Sequence, residues 1–356
     1  MRTYILKRIG QSVLVMWAAY TLSFFLLSAL PGDAVNNRIQ NPEAQLTPES
    51  ARALVEYYGL DRPLLEQYVS GLGGILRGDW GYSLTNGTSV TGLIGNVLPS
   101  TIQLTGLALV FGLVLAAVVA VVANYAPWAS VRSVVGSVPA LFGSVPTFVV
   151  GILVLQFLSF KLHVIPSSDD GSFLALLAPA ATLAVLIAAP LAQVFTTSIA
   201  ATRDLPFVHV LQAKGAGEGY AFQRGVLRNS ALPVLTLLGL ACGELIAGSV
   251  VTEAVYARPG LGQLTVNAVG TQDLPVLQGV VLVAALAYVA VNLAVDLAYP
   301  FIDPRILVDG RRQRFTSLRA RAKIVLPGLG VKAAGGVPVS VPVSVQRGLP
   351  AEVSMP

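Results

Sequence analysis

The feature that most constrains this chain is a series of long apolar windows almost free of charged side chains. Between Arg8 and Asp33 no Asp, Glu, Lys or Arg occurs, and Ile9–Leu30 is long enough to cross a bilayer. Five more windows follow: Thr101–Tyr125, Val134–Phe160, Leu174–Ala200, Pro233–Tyr256 and Val276–Tyr299. In lipid such a segment can satisfy its own backbone only as a helix or within a closed barrel, and runs of this length predict helices. A soluble chain of 356 residues is excluded by the remaining composition, since only 12% of residues are charged, about half the usual share. The expectation is an all-α membrane protein with six transmembrane helices.

The connections refine that picture. Pro139 and Pro146 interrupt the third window and predict a kinked or broken helix, and Pro179 and Pro190 lie in the fourth. The basic start (Arg2, Lys7, Arg8) is also what a signal peptide shows, but the apolar run exceeds the usual ~7–15 residues, so a retained first span is expected. Between the first two spans, Glu49–Tyr58 and Pro63–Leu76 read as short amphipathic helices, and Gly78-Asp79-Trp80-Gly81 as a turn. The division is therefore 1–30 for the N-terminus and first helix, 31–99 for a long extracytoplasmic loop, 100–306 for a five-helix core, and 307–356 for a basic tail. The Val/Pro/Gly-rich end of that tail has a composition that predicts disorder.

Basic residues orient the set. With the N-terminus inside, 17 of the 23 Lys and Arg fall in inner segments and 6 in outer ones. Both termini and the loop Ala201–Pro233 are thereby expected in the cytoplasm. The net charge of +5 then belongs to loops near anionic lipid rather than to nucleic-acid binding. Cys242, alone in the chain, allows no intrachain disulfide.

Catalytic chemistry has little material here. The two histidines, His163 and His209, lie in different loops, and no H-E-x-x-H or G-x-S-x-G pattern occurs. No lysine follows a glycine, which excludes a phosphate-binding G-x-x-x-x-G-K-[ST] loop. Nucleotide-driven work would need another chain. Charges within spans point to function because lipid burial is costly. These are Glu244, Glu253 and Asp296, with Asn292 one turn from Asp296 on the same helix face. Glu244, Asn292 and Asp296 could line a solute path or bond neighbouring helices, while Glu253 lies close enough to the outer end to reach water. Gly239 and Gly243 form a G-x-x-x-G pair that favours close helix packing.

Several long segments, in one collinear order over roughly residues 1–306, resemble the permeases of dipeptide and oligopeptide ABC importers. They are the start YILKRIGQSVLVMWAAYTLSFFLLSALPGDAV, GLDRPLLEQYVSGLGGILRGDWGYSL, AKG with LRNSALPVLTLLG, the run Gly243–Gly279, and NLAVDLAYPFIDPRI. The resemblance implies a type I ABC importer permease (MetI-like) fold in a bacterial cytoplasmic (inner) membrane. It implies that this chain and a second homologous permease form a path for peptide, and that an extracytoplasmic binding protein delivers the solute. Two cytoplasmic ATPases, which bind the ATP and Mg, would drive it, leaving this chain without a cofactor. The loop 201–233 is similar to the coupling loop of such permeases. Phe207, Val210 and Leu211 would give a short helix its face toward an ATPase, Ala213, Lys214 and Gly215 match the motif core, and Gly215 would supply the turn. Pro233 would set the start of the fifth span. Gly225 stands where a histidine or another polar residue is common, and Gln212 where arginine is usual. The same build also serves nickel or a small solute such as glutathione. An ATPase-independent secondary transporter would show inverted repeats, which are not visible.

Overall fold

A computed structural model of the chain describes residues 2–28, 49, 53, 56–57, 62–166 and 169–302. Most of the helix expected over Glu49–Tyr58, and the whole tail from residue 307, lie outside the described residues. The described chain is helical, with one isolated bridge between Tyr82 and Ser89.

Helix α1 (Arg2–Ser28) is the first apolar run. Leu22 and Leu26 stay exposed, as lipid-facing side chains do, while Tyr20 is buried. A short helix α2 (Leu64–Leu76) lies on it. Tyr20 donates to the Tyr68 carbonyl at 2.9 Å, and the Tyr68 ring packs among Tyr20, Phe24 and Phe25. Beyond α2, Gly78 and Gly81 take positive φ, which glycine adopts without a Cβ penalty, and the chain turns there.

Helix α3 (Val90–Tyr125) starts eleven residues before the expected Thr101. The Ser89 side chain caps it by accepting from Gly92 N–H, and its first turns are buried: Val90 and Ile94 pack with Val276, Leu277 and Val280. Lipid-length apolarity does not mark that extension, because tertiary packing stabilises it. Next, α4 (Ala129–Ser144) and α5 (Thr147–Val154) meet at a 102° bend. The cause is Pro146, which has no N–H to give and forces Val145 into extended backbone (φ −99°, ψ 122°). A π-helical stretch, Leu155–Lys161, continues α5.

Helix α6 (Phe173–Arg203) is the hub, carrying fully buried Leu183, Ile187, Leu191 and Ile199 despite Pro179 and Pro190. It packs against α3 at Gly112, where a Cβ would lie 2.5 Å from the Ile187 side chain. After α7 (Pro206–Ala213), α8 (Glu218–Ala221) runs through a π-helical stretch, Phe222–Val226, into α9 (Leu227–Val255). Pro233 is thus the seventh residue of α9 and does not begin it. A proline inside a helix costs one backbone bond and local strain, which packed membrane helices tolerate. The glycine pair works as its spacing predicts: Gly239 faces Asn292 and Gly243 faces Tyr288. Both partners lie on the last described helix, α11 (Leu274–Ile302), which α10 (Leu261–Gly270) precedes. Among the described residues five helices are long and apolar enough to cross a membrane, and the bent α4–α5 pair makes six if it is one span.

Candidate functional site

The short helix α7 stands between two spans on a rigid mount. Pro206 occupies its first turn, where the missing N–H is no loss. Its end is a Schellman motif: Gly215 N–H bonds the Gln212 carbonyl at 2.9 Å and Ala216 N–H the Leu211 carbonyl at 3.1 Å. Gly215 makes this possible by adopting φ +87°. On one side Val208 is buried. Phe207 and Leu211 lean on Gly225, where a Cβ would lie 3.2 Å from Leu211 Cδ1 and 3.3 Å from Phe207 Cε2. A side chain at 225 would press on both, and Leu211 and Phe207 would have to give by a few tenths of an ångström. Val210 is 52% exposed and Phe207 40%, and His209, Gln212, Ala213 and Lys214 are exposed beside them. Of the three apolar residues expected to form one face, Val210 points outward, and Phe207 and Leu211 divide their surface between Gly225 and solvent.

The mount was invisible to local sequence patterns. The Arg203 guanidinium donates to the Asn124 carbonyl at 2.5 Å and lies 4.4 Å from the centre of the Tyr125 ring, a cation–π contact. Tyr125 in turn meets Phe222 edge-on at 5.2 Å, and the Asn124 amide donates to the Thr196 carbonyl at 3.1 Å. The ends of α3 and α6 and the start of the α8–α9 run are thereby joined directly under α7. A cavity of about 300 Å³ lies among them, lined by Asn124, Arg203, His209 and Glu218. Only the position of Arg203 at a span end hinted at this role.

A second polar feature lies within the spans. Glu244 of α9 lines a cavity of about 220 Å³ shared with Phe142, Gly143 and Val145 at the α4–α5 break and with Pro190 of α6. Its side chain is exposed and makes no hydrogen bond or ion pair among the described residues. Asn292 is not on this cavity. Its amide donates to the Tyr288 carbonyl at 2.9 Å, and its oxygen faces Gly239. Asp296 falls on α11, but its side chain lies outside what the structure describes.

Glu253 does not reach water. It is fully buried, because α10 folds back over the end of α9. Its carboxylate accepts from the Thr101 hydroxyl at 2.6 Å and from Gly262 N–H at 2.7 Å, so it caps the start of α10 from a different helix. At the same end, Arg258 pairs with Asp169 at 3.1 Å. Asp273 accepts from the Ser83 and Thr85 hydroxyls and from Leu84 N–H, fastening the loop before α3.

Residues 112–308 match the family of binding-protein-dependent transport system inner membrane components. The chain belongs to this family. Among curated relatives, the dipeptide transport system permease DppB of Lactococcus lactis is 32% identical, over 85% of this chain and 98% of its own. A putative peptide permease of Brucella ovis is 36% identical over 86% of this chain and all of its own. The glutathione transport system permease GsiC of Escherichia coli is 31% identical over 86% and 99%. For this permease, the family match starts inside α3 and takes in α7, Glu244, Glu253 and Asn292. The alignments with relatives are long enough to extend beyond it. The multi-pass, membrane-embedded helices and the transport role follow from the family, which is one of ABC transporter components.

Proposed function

We propose that this permease forms half of the path through which an ABC importer takes up dipeptides or oligopeptides across the bacterial cytoplasmic membrane. A second, homologous permease completes the path, and an extracytoplasmic binding protein delivers the solute. Two ATPase subunits in the cytoplasm bind ATP and Mg and supply the power stroke, and no cofactor is held by this chain. Both termini and α7 face the cytoplasm, in keeping with the excess of basic residues on that side.

The observation that carries the reading is α7 itself. A short helix with exposed Val210 and Phe207, closed by the Gly215 turn, is tied through Arg203 to the ends of two spans. Such an element can transmit a push from a docked ATPase directly into α3 and α6. Phe207, Val210, Leu211, Ala213, Lys214 and Gly215 are the docking residues in this reading, with Phe207 and Leu211 also holding the helix to the permease. Glu244 lines the path. Asn292 serves the α9–α11 contact, and Asp296 is assigned to the path by its place in the sequence alone.

Peptide is favoured as solute by the names of the relatives, and glutathione, itself a small peptide, by one of them. Affinity purification of the tagged chain from mild detergent, with mass spectrometry, tests the assembly. The reading expects a second six-span permease, ATPases with phosphate-binding loops and a binding protein. Active membranes that yield this chain alone would contradict it. ATP-dependent uptake of labelled dipeptide against labelled glutathione then separates the two solutes.

A further inference from the structure

Among the acidic side chains described within the spans, Glu253 is hydrogen-bonded and Glu244 has no partner. Basic residues stand only toward the ends of the described spans, at Arg8, Arg132, Lys161, Arg203, Arg224 and Arg228. Glu244 lies sixteen residues along α9 from Arg228, about 24 Å at helical rise. A carboxylate at that depth is costly unless it meets water or a cation. The described chain supplies no cation there.

The Glu244 cavity lies where α4 ends and α5 begins, at the 102° bend, and Pro190 of α6 closes another side. Irregular backbone within spans is tolerated where it lines a cavity, and broken helices frequently frame solute sites. The end of α4 brings a partial negative charge and the start of α5 a partial positive one, each of roughly half a unit, so the two helix ends nearly cancel. The full charge of Glu244 remains. Phe142, Val150 and Leu186 provide apolar walls that strengthen its field.

We propose that Glu244 and this cavity form a cation site on the solute path that receives the ammonium group of a peptide in transit. This rests on the import reading above. The cavity of about 220 Å³ takes the amino-terminal end of a peptide rather than a whole one. The site is therefore a waypoint that recognises the group common to peptides, irrespective of their side chains.

The test uses the complete transporter in proteoliposomes. The buried Cys242 is changed to Ala, and Ala247, exposed and one turn from Glu244, is changed to Cys. Rates of reaction with a cationic and an anionic methanethiosulfonate are measured relative to free cysteine. With Glu244 present the cationic reagent reacts faster by about tenfold or more, and Glu244→Gln brings the ratio close to one. During turnover, a dipeptide with uncharged side chains and a free amino group slows the cationic reaction strongly in the Glu244 background and little in the Gln background. If a basic residue of the second permease neutralises Glu244, the ratio stays near one in both backgrounds and the proposal falls. Equal protection in both backgrounds overturns it as well. Dipeptide uptake by the same vesicles tests the import reading separately. An intact charge ratio with no uptake would remove peptide as the ligand and fail that reading, leaving the measured negative field in place.

Discussion

Removing the buried carboxylate of Glu253 should separate the roles of its charge, its volume and its bonds. Two strong donors meet it: the Thr101 hydroxyl on one oxygen at 2.6 Å and Gly262 N–H on the other at 2.7 Å, with Gln263 N–H at 3.4 Å. Glu253→Ala orphans both donors and leaves a void at a site with no exposure, a loss of about 3–5 kcal/mol. Glu253→Gln keeps the volume but turns one acceptor into an NH2 group. Facing Gly262, that group meets another donor. Facing Thr101, it meets an oxygen already accepting from Leu261 N–H at 2.8 Å, and the hydroxyl proton loses its acceptor. Either arrangement leaves one mismatch, about 1–3 kcal/mol. The thermal midpoint of the purified protein in detergent should therefore fall in the order wild type, Gln, Ala. A Gln variant as stable as wild type would refute the view that both carboxylate oxygens act as acceptors.

Three further outcomes follow from the geometry. Gly215→Glu forces a side chain into φ +87°, a strain of roughly 1–2 kcal/mol with open space around it. The protein should stay in the membrane while solute-stimulated ATPase activity of the assembled transporter is lost, and normal uptake would sink the docking assignment. Gly225→Val pushes on Leu211 and Phe207 and should lower the same activity severalfold, with normal coupling showing that α7 does not rest on Gly225. Asp273→Ala removes the acceptor shared by Ser83, Leu84 and Thr85, so amide exchange should accelerate at residues 83–86 and remain unchanged in α6, which is remote in the packing.

How far the sequence led depends on the kind of force that shapes each part. The span interiors were legible because lipid imposes a length and an apolarity on any helix that crosses it. Their ends were not. The Val90–Ser100 extension exists because Val90 and Ile94 find Val276 and Leu277, nearly two hundred residues away in the chain. Pro233 marked the only visible break in a run that stays helical on both sides of it. Glu253 looked able to reach water because no local pattern announces that α10 folds back over it. The Gly215 turn was readable, since its conformation is a property of the residue itself. The Arg203–Tyr125 mount was not, because its two partners come from different spans.

If α7 is the surface on which an ATPase acts, a photo-crosslinking side chain at Val210 lies within reach of that ATPase. In membranes containing the whole transporter, irradiation should join this chain to an ATPase subunit, and the yield should change between nucleotide-free and ATP-bound states. Crosslinks to lipid alone, or to an extracytoplasmic protein, would contradict that role for α7.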